Sequence, residues 1–258
     1  MKLPILLCLC FALISSCGPK KVAVKYADTY IETQVEKRLP LYDSQEEALS
    51  KDIDKFLNGH KEKARQILPI LAKVDLERPA SLDEQYPKFS ETYLDIASDF
   101  SKILARHMSV FDKKQQKDFL KKMREENNDL FTKGRKERQE KVESRVRSLL
   151  GTVTDDQKKI LKANRKTFDE QIVVRSERRS KLHTAFKDIL EQEISSEAKE
   201  KLIHEAFIAY QKESLSDTRS LTIAKAFMPT LKPIQKENIR ARLGELEEIL
   251  TYFVETVY

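Results

Sequence analysis

The apolar positions of the chain recur at helical spacing almost throughout. From Ala23 to Leu39 they return about every four residues, which places them on one face of a helix. Alternating runs of β-branched residues are lacking, and the nearest one, 172–174, lies inside a helical pattern. No proline occurs between Pro87 and Pro229, and a proline inside a helix removes a backbone hydrogen bond. The pattern therefore predicts an all-α protein.

Capping patterns mark where these helices begin. A Ser, Thr or Asp followed three residues later by Glu or Gln satisfies two free amide groups of a helix start, and a lone Ser cap or a first-turn Pro favours a start as well. The starts assigned in this way are 43–46, 81–84, 112–115, 154–157, Ser195 and Pro233. The predicted helices are 43–76, 82–110, 113–149, 155–192, 196–213, 217–227 and 233–256.

Three of these starts share a short motif, in which an apolar residue precedes the capping position and a glutamine follows the cap by three residues. The motif begins at Phe111, Val153 and Leu231. The intervals between successive helix starts are too irregular for a solenoid of equal repeats. Each copy is therefore either part of a repeated structural device or an ordinary helix cap.

Two of the predicted helices lose their apolar face over part of their length. Residues 132–141 contain no apolar side chain, and 175–181 is equally polar. A helix that is polar all round for two turns is typical of a segment that runs through solvent. Gly151 lies between the two helices and indicates a tight reversal. We therefore predict an extended bundle or open cradle of long amphipathic helices with short connections.

Arginine is concentrated on the same two helices. The residues concerned are Arg135, Arg138, Arg145 and Arg147 on the first helix and Arg175, Arg178 and Arg179 on the second. If the chain reverses at Gly151, the two groups face each other and form a basic concavity. Guanidinium groups bind carboxylate and phosphate in a bidentate manner. The hypothesis is a binding surface for an acidic client or a lipopolysaccharide phosphate, and the alternative is a solvated face interleaved with glutamate.

The first residues have the layout of a secretory signal, with Lys2 followed by an apolar run over 3–14 and then two serines. The run is too short to span a membrane as a helix, which takes about 20 apolar residues. The segment Ile14-Ser15-Ser16-Cys17 resembles the bacterial lipobox. The resemblance implies cleavage before Cys17 and acylation of its thiol. An ordinary signal peptide with an incidental cysteine is the alternative.

Cysteine usage agrees with acylation. After removal of 1–16, Cys17 is the one cysteine left in the sequence, and a lone thiol cannot form an internal disulfide in an oxidising compartment. Glycine rather than aspartate follows it, which among proteins with this box favours the outer membrane, on the periplasmic face. We expect a signal peptide over 1–16, a lipidated N-terminus and tether over 17–22, and a single α-helical domain over 23–258.

The remaining composition narrows the class of partner. The net charge is +6, which in a cytosolic protein would point to nucleic acid. Behind a secretory signal we expect no nucleic acid, and anionic headgroups or acidic protein segments are better partners. The four histidines have no His or Cys at metal-ligand spacing, and Ser196-x-x-Lys199 lacks companion motifs of the penicillin-binding enzymes. We therefore expect no enzyme, no metal and no cofactor besides the lipid on Cys17.

Three stretches carry a resemblance to a family of uncharacterised Gram-negative envelope lipoproteins, defined by a domain of unknown function. They are YADTYIE at 26–32, LYDSQEEAL at 41–49 and HKEKARQILPIL at 60–71. The Thr154-x-x-Gln157 start is also similar to the repeated starts of the Spy/CpxP-type periplasmic chaperones. The resemblance implies a non-enzymatic, outer-membrane-anchored periplasmic protein that binds envelope or client proteins. The alternatives are a structural or assembly lipoprotein with one fixed partner, and an envelope hydrolase.

Overall fold

A computed structural model describes residues 24, 26–132 and 135–256, with the side chains of 130–132, 135–136 and 138–139 left out. Over these ranges the chain is helical and has no strand, which confirms the all-α prediction. The helices are α1 Ala27–Glu36, α2 Asp43–Gly59, α3 Lys61–Ala72, α4 Ala80–Ser109, α5 Lys113–Thr132, α6 Arg135–Leu150, α7 Asp155–Ala163, α8 Arg165–Glu191, α9 Ser196–Leu215, α10 Arg219–Phe227 and α11 Pro233–Glu255. A 3₁₀ turn, Met228–Thr230, joins the last two helices.

Several helix starts are the predicted ones. Thr154 caps α7, since its Oγ1 accepts from the Gln157 amide at 3.3 Å while Gln157 Oε1 accepts from the Thr154 amide at 3.0 Å. The same reciprocal pair joins Asp112 and Gln115 before α5. Ser195 accepts from the Ala198 amide at 3.3 Å before α9. The local capping patterns were therefore correct at these starts, because the bonds that they describe lie within four residues.

Two predicted starts are wrong by one or two residues. The cap of α2 is Tyr42 rather than Asp43, because the Tyr42 amide donates to Gln45 Oε1 at 3.0 Å and its backbone is extended. Helix α4 already includes Ser81. Its buried hydroxyl accepts from the Asp75 amide and donates to the Asp75 carbonyl, both at 3.0 Å. That serine closes the preceding loop instead of capping the helix.

Two predicted long helices are broken. The helix predicted over 43–76 is interrupted at His60, whose ring Nδ1 lies 2.7 Å from the Phe56 carbonyl. The ring thus bonds the carbonyl to which the His60 amide would donate in a continuous helix. The helix predicted over 155–192 is interrupted at Asn164, whose side chain donates to the Ile160 carbonyl at 2.9 Å. Both breaks come from side chains that bond the backbone four residues earlier.

The helices bury two apolar clusters, of which the larger holds the molecule together. Helix α4 packs along α9, and α8 packs against both α5 and α9. A chain of aromatic rings passes through this large core, with centroid distances of 6.0, 5.9 and 4.7 Å between successive rings. The rings are Phe111, Phe119, Phe186 and Phe207. Burial of one such side chain contributes about 1.5–3 kcal/mol.

The small core lies where α6, α10 and α11 meet, and its buried members are Leu150, Ile223, Phe227, Met228 and Leu231. Next to it, Gly151 turns the chain from α6 to α7 with a φ of 79°, as the sequence predicted for a reversal. An added Cβ there would lie 2.8 Å from the side-chain nitrogen of Asn238. That nitrogen donates to the Leu150 carbonyl at 2.9 Å, so the reversal is held from α11.

Glutamines at four helix starts form two pairs, one beside each core. Gln157 and Gln235 are fully buried and exchange side-chain amide bonds of 2.8 and 3.0 Å. Each also donates to a carbonyl before the other helix, of Thr230 at 3.1 Å and of Thr152 at 2.9 Å. Gln115 makes the corresponding bonds to Gln45 and to the Pro40 carbonyl, both at 2.6 Å. The repeated sequence motif is therefore a repeated structural device that joins helix starts in pairs.

Candidate functional site

A small cavity lies in the large core between α1, α4, α5, α8 and α9. Its volume is about 50 Å³, which at about 10–15 Å³ for each water-sized sphere is room for about four spheres. The walls are apolar and include Val35, Leu104, Phe119, Met123, Leu182 and Phe186. A space of this size and lining suits an apolar group of a few carbon atoms rather than water. We call this space the apolar pocket.

Charged side chains line the apolar pocket on its solvent-facing side, where Arg38, Lys122 and Glu126 are partly or fully exposed, and we call this side the mouth. Glu126 accepts from Arg179 Nη2 at 3.1 Å and lies 3.6 Å from Arg38 Nε. Arg38 also donates through Nη1 to the Gln34 carbonyl at 2.6 Å. Lys122 reaches the mouth from α5. Two guanidinium groups therefore lie at one carboxylate, and with Lys122 the pocket lining holds three cations against one carboxylate.

An unused hydrogen-bond donor remains at this mouth. Arg38 Nε is buried and has no hydrogen-bond partner within the described residues. Lys122 is exposed and Tyr210 is half-buried, so the cost of an unpaired buried donor in the pocket lining falls on Arg38 Nε. A buried donor without an acceptor costs about 1–3 kcal/mol. An incoming group with acceptor oxygens would remove that cost.

Two of the predicted binding residues, Arg178 and Arg179, are buried. Their exposed fractions are 7% and 6%, so neither presents its guanidinium group to solvent. Arg178 donates to Asp217 at 2.9 Å and to the Glu213 carbonyl at 3.1 Å. One face of the polar segment 175–181 is therefore buried, where Glu126 of α5 and Asp217 after α9 pair with its arginines, whereas Glu177, Ser180 and Lys181 are exposed.

The other predicted arginines are not gathered into a concavity with these two. Arg145 is exposed on α6, and Arg147 pairs with Glu143 at 2.8 Å on the same helix. Arg175 is half-buried on α8. The side chains of Arg135 and Arg138 lie outside the described residues, as does Cys17. Helix α6 packs against α11, while α8 packs against α5 and α9.

The Asp217 carboxylate explains how a buried arginine is tolerated. It accepts from Arg219 at 2.7 and 2.6 Å and from Arg178 at 2.9 Å. The Arg219 hydrogen bonds lower the pKa of Asp217 to about 2, against an opposing effect of burial, and Arg178 adds to the lowering. The carboxylate is therefore ionised at any physiological pH, and it holds the start of α10 beside α8.

The nearest approach to a catalytic pair is Ser101 with His204, whose Oγ and Nδ1 are 2.8 Å apart. The Ser101 hydroxyl also lies 2.8 Å from the Ser98 carbonyl, which only accepts, so its proton is directed there and not to the histidine. Burial lowers the pKa of His204. Lys199, of the predicted Ser-x-x-Lys match, donates to the Leu190 carbonyl at 3.2 Å. These contacts join helices, and they lack the geometry of an activated nucleophile.

The described residues contain neither a metal-binding cluster nor a helix that could span a membrane. Within residues 24, 26–132 and 135–256, no cluster of three or more His, Cys, Asp or Glu side chains is arranged to hold a metal ion. In that part of the chain no helix combines the length and apolarity needed to cross a membrane. Comparison with models of protein families, with curated proteins and with solved structures gave no match for this chain.

The residues at the mouth of the apolar pocket were missed at the level of sequence. A signal was nevertheless present. Arg38 follows Val35 by three residues, and Glu126 follows Met123 by three, so both charges lie on the apolar face of their helix. A charge on a buried face usually has a partner or a function. The partner came from a helix more than eighty residues away, which periodicity alone cannot identify.

Proposed function

We propose that the chain is a non-enzymatic lipoprotein of the bacterial envelope, anchored in the outer membrane through Cys17, that binds another envelope component from the periplasm. The observation that carries the binding role is the apolar pocket, whose lining holds three cations and one carboxylate. Among the described residues the lining contains no Ser, Cys or His, and its carboxylate, Glu126, is held by the guanidinium groups of Arg38 and Arg179, which favours binding over catalysis.

The anchor supports the same role. Cys17 lies seven residues before Val24, the first described residue, and eight extended residues span at most about 28 Å. The folded part is then held close to the membrane, where lipids and envelope proteins are concentrated. Tethering raises the local concentration of such partners to the millimolar range for a short flexible linker.

The anchor is tested by Cys17→Ser in the native host. We expect the variant to lose acylation and to leave the outer-membrane fraction, because the proposed attachment consists of acyl chains on the Cys17 thiol, which serine does not provide. Metabolic labelling with an alkyne fatty acid, followed by membrane fractionation, measures both effects. Unchanged outer-membrane fractionation of the variant would contradict the lipoprotein assignment.

The binding role is tested by photocrosslinking in cells from position 122, at the mouth of the pocket. Position 166 on α8 is the matched control, since Lys166 is 88% exposed and does not line the pocket. We expect adducts at 122 that are absent at 166. One recurrent protein adduct would assign a fixed assembly partner, and a broad set of envelope proteins would assign a chaperone-like role. The same pattern from both positions would refute the pocket as the binding site.

A further inference from the structure

We infer that the apolar pocket takes the end of an acyl chain whose acidic headgroup lies against Arg38 and Lys122. This inference rests on the proposed binding function and names the chemical class of its ligand. The first argument is the separation of polarity in the pocket. Its buried lining includes the apolar side chains of Leu104, Phe119 and Phe186, whereas the polar lining residues Arg38, Lys122 and Glu126 are partly or fully exposed.

The second argument is the kind of polar group at the mouth. Arg38 Nε is a buried donor without a hydrogen-bond partner among the described residues, and the exposed Lys122 amine adds a second cationic donor group to the same lining. The carboxylate present, Glu126, already accepts from Arg179 at 3.1 Å and lies 3.6 Å from Arg38 Nε. A carboxylate or phosphate headgroup consists of acceptors alone and matches this arrangement.

A peptide segment fits the same site less well. Every extended peptide brings backbone N–H groups that need acceptors when they are buried. The mouth offers few free acceptors, because Gln34 Oε1 lies 3.3 Å from Arg38 Nη1 and Glu126 is engaged by two guanidinium groups. The lining therefore favours an amphipathic anion over an apolar peptide side chain.

The test uses the full chain with Cys17→Ser, so that no acyl group of the protein itself competes. The probes share a ten-carbon chain and differ in headgroup: decanoate, decyl phosphate and the uncharged decanol. Methyl resonances of selectively labelled methionine report the position of binding. Met123 lines the pocket and Met228 lies in the small core, so the second is an internal control.

We expect decanoate or decyl phosphate to shift the Met123 resonance and to leave Met228 unchanged. Decanol should bind at least about tenfold more weakly, which is the effect of losing one charge-assisted hydrogen bond. The tighter of the two acids identifies the source of the headgroup, a free fatty acid or a single-chain phospholipid. Equal binding of decanol, or equal shifts at both methionines, would overturn the inference.

Substitutions provide a second readout. Lys122→Gln should weaken decanoate binding by about tenfold, whereas Lys121→Gln, at the exposed neighbouring position outside the pocket, should not change it. Val35→Phe should fill the cavity and abolish the Met123 shift. If that variant does not fold, the exposed Lys122 substitution still decides the question. Protein adducts from position 122 without any binding of the acids would overturn the acyl-chain inference and leave the proposed function standing.

Discussion

The Gln157 side chain offers the sharpest test of how the helix starts are joined. Its amide nitrogen donates to Thr230 O and Gln235 Oε1, at 3.1 and 2.8 Å. Its oxygen accepts from the Thr154 amide and from Gln235, both at 3.0 Å. Gln157→Glu has the same shape but replaces the donor with an oxygen, so two hydrogen bonds become contacts between acceptors.

The size of the effect follows from these contacts. Each lost hydrogen bond costs about 1 kcal/mol, and the desolvated charge in a fully buried site adds about 1–3 kcal/mol. We therefore expect Gln157→Glu to lower the free energy of unfolding by about 3–5 kcal/mol at pH 8.

The stability loss of Gln157→Glu should depend on pH in one direction. Burial without a cation raises the folded-state pKa of the new carboxyl above its unfolded value of about 4.3. The proton that it binds then stabilises the folded state, fully below the unfolded pKa, and this contribution is lost as the pH rises through the folded pKa. The protonated acid also regains one donor. The loss of stability should therefore be smaller at pH 5 than at pH 8.

The assay is urea unfolding followed by circular dichroism at both pH values. Gln66→Glu on the exposed face of α3 is the matched control, and it should change stability by less than about 0.5 kcal/mol at either pH. A loss at position 157 that is equal at pH 5 and pH 8, or as small as that of the control, would refute the reasoning.

Three further predictions use stability as the readout. Gly151→Ala should lower the free energy of unfolding by about 1–3 kcal/mol, because the φ of Gly151 is 79° and an added Cβ would lie 2.8 Å from a side-chain atom of Asn238. Gly244→Ala is the control inside α11, where an added Cβ meets no atom within 4 Å, and it should raise the free energy of unfolding by up to about 1 kcal/mol. Arg178→Ala should cost about 2–4 kcal/mol and exposed Arg145→Ala less than about 0.5 kcal/mol, both by urea unfolding. The pKa of Asp217 is lowered from 3.8 to about 2 in the folded state, so the ionised carboxylate stabilises the fold above pH 3.8, and this contribution is lost as the pH falls through about 2. The free energy of unfolding of Asp217→Asn should therefore lie about 2 kcal/mol below that of the unmodified chain at neutral pH, and this difference should shrink over that pH range.

Each of these has a result that would contradict it. Equal effects of alanine at the two glycines would mean that the reversal is not strained. An Arg178→Ala variant as stable as Arg145→Ala would show that solvent replaces the ion pair with Asp217. A pH-independent difference for Asp217→Asn would mean that the carboxylate is not paired in the folded state.

The all-α fold could be predicted from the sequence because the signals for helices are local. Thr154 and Gln157 are three residues apart, and both halves of their capping box could be assigned without knowledge of the partner helix. The breaks at His60 and Asn164 were missed because each accompanies a side chain that bonds the carbonyl four residues earlier. Residue type alone does not show whether such a bond forms.

The candidate site was less predictable, because its residues come from distant parts of the chain. The polar run around Arg178 was expected to be solvated, yet its partner Asp217 lies thirty-nine positions later and turns the exposed face into a buried one. The apolar pocket needs five helices to close. Pairing of charges across helices is set by packing, and no periodicity within one helix reports it.

The two glutamine pairs also bear on the order in which the chain closes. The first joins residues 70 positions apart and the second joins residues 78 positions apart. The two loops follow one another along the chain without overlapping, because the first ends at Gln115 and the second begins at Gln157. A chain that is synthesised from its N-terminus presents both ends of the first loop before the second loop has begun. The first glutamine pair can therefore form before the second half of the protein is present, so fewer unpaired helix ends are exposed during synthesis.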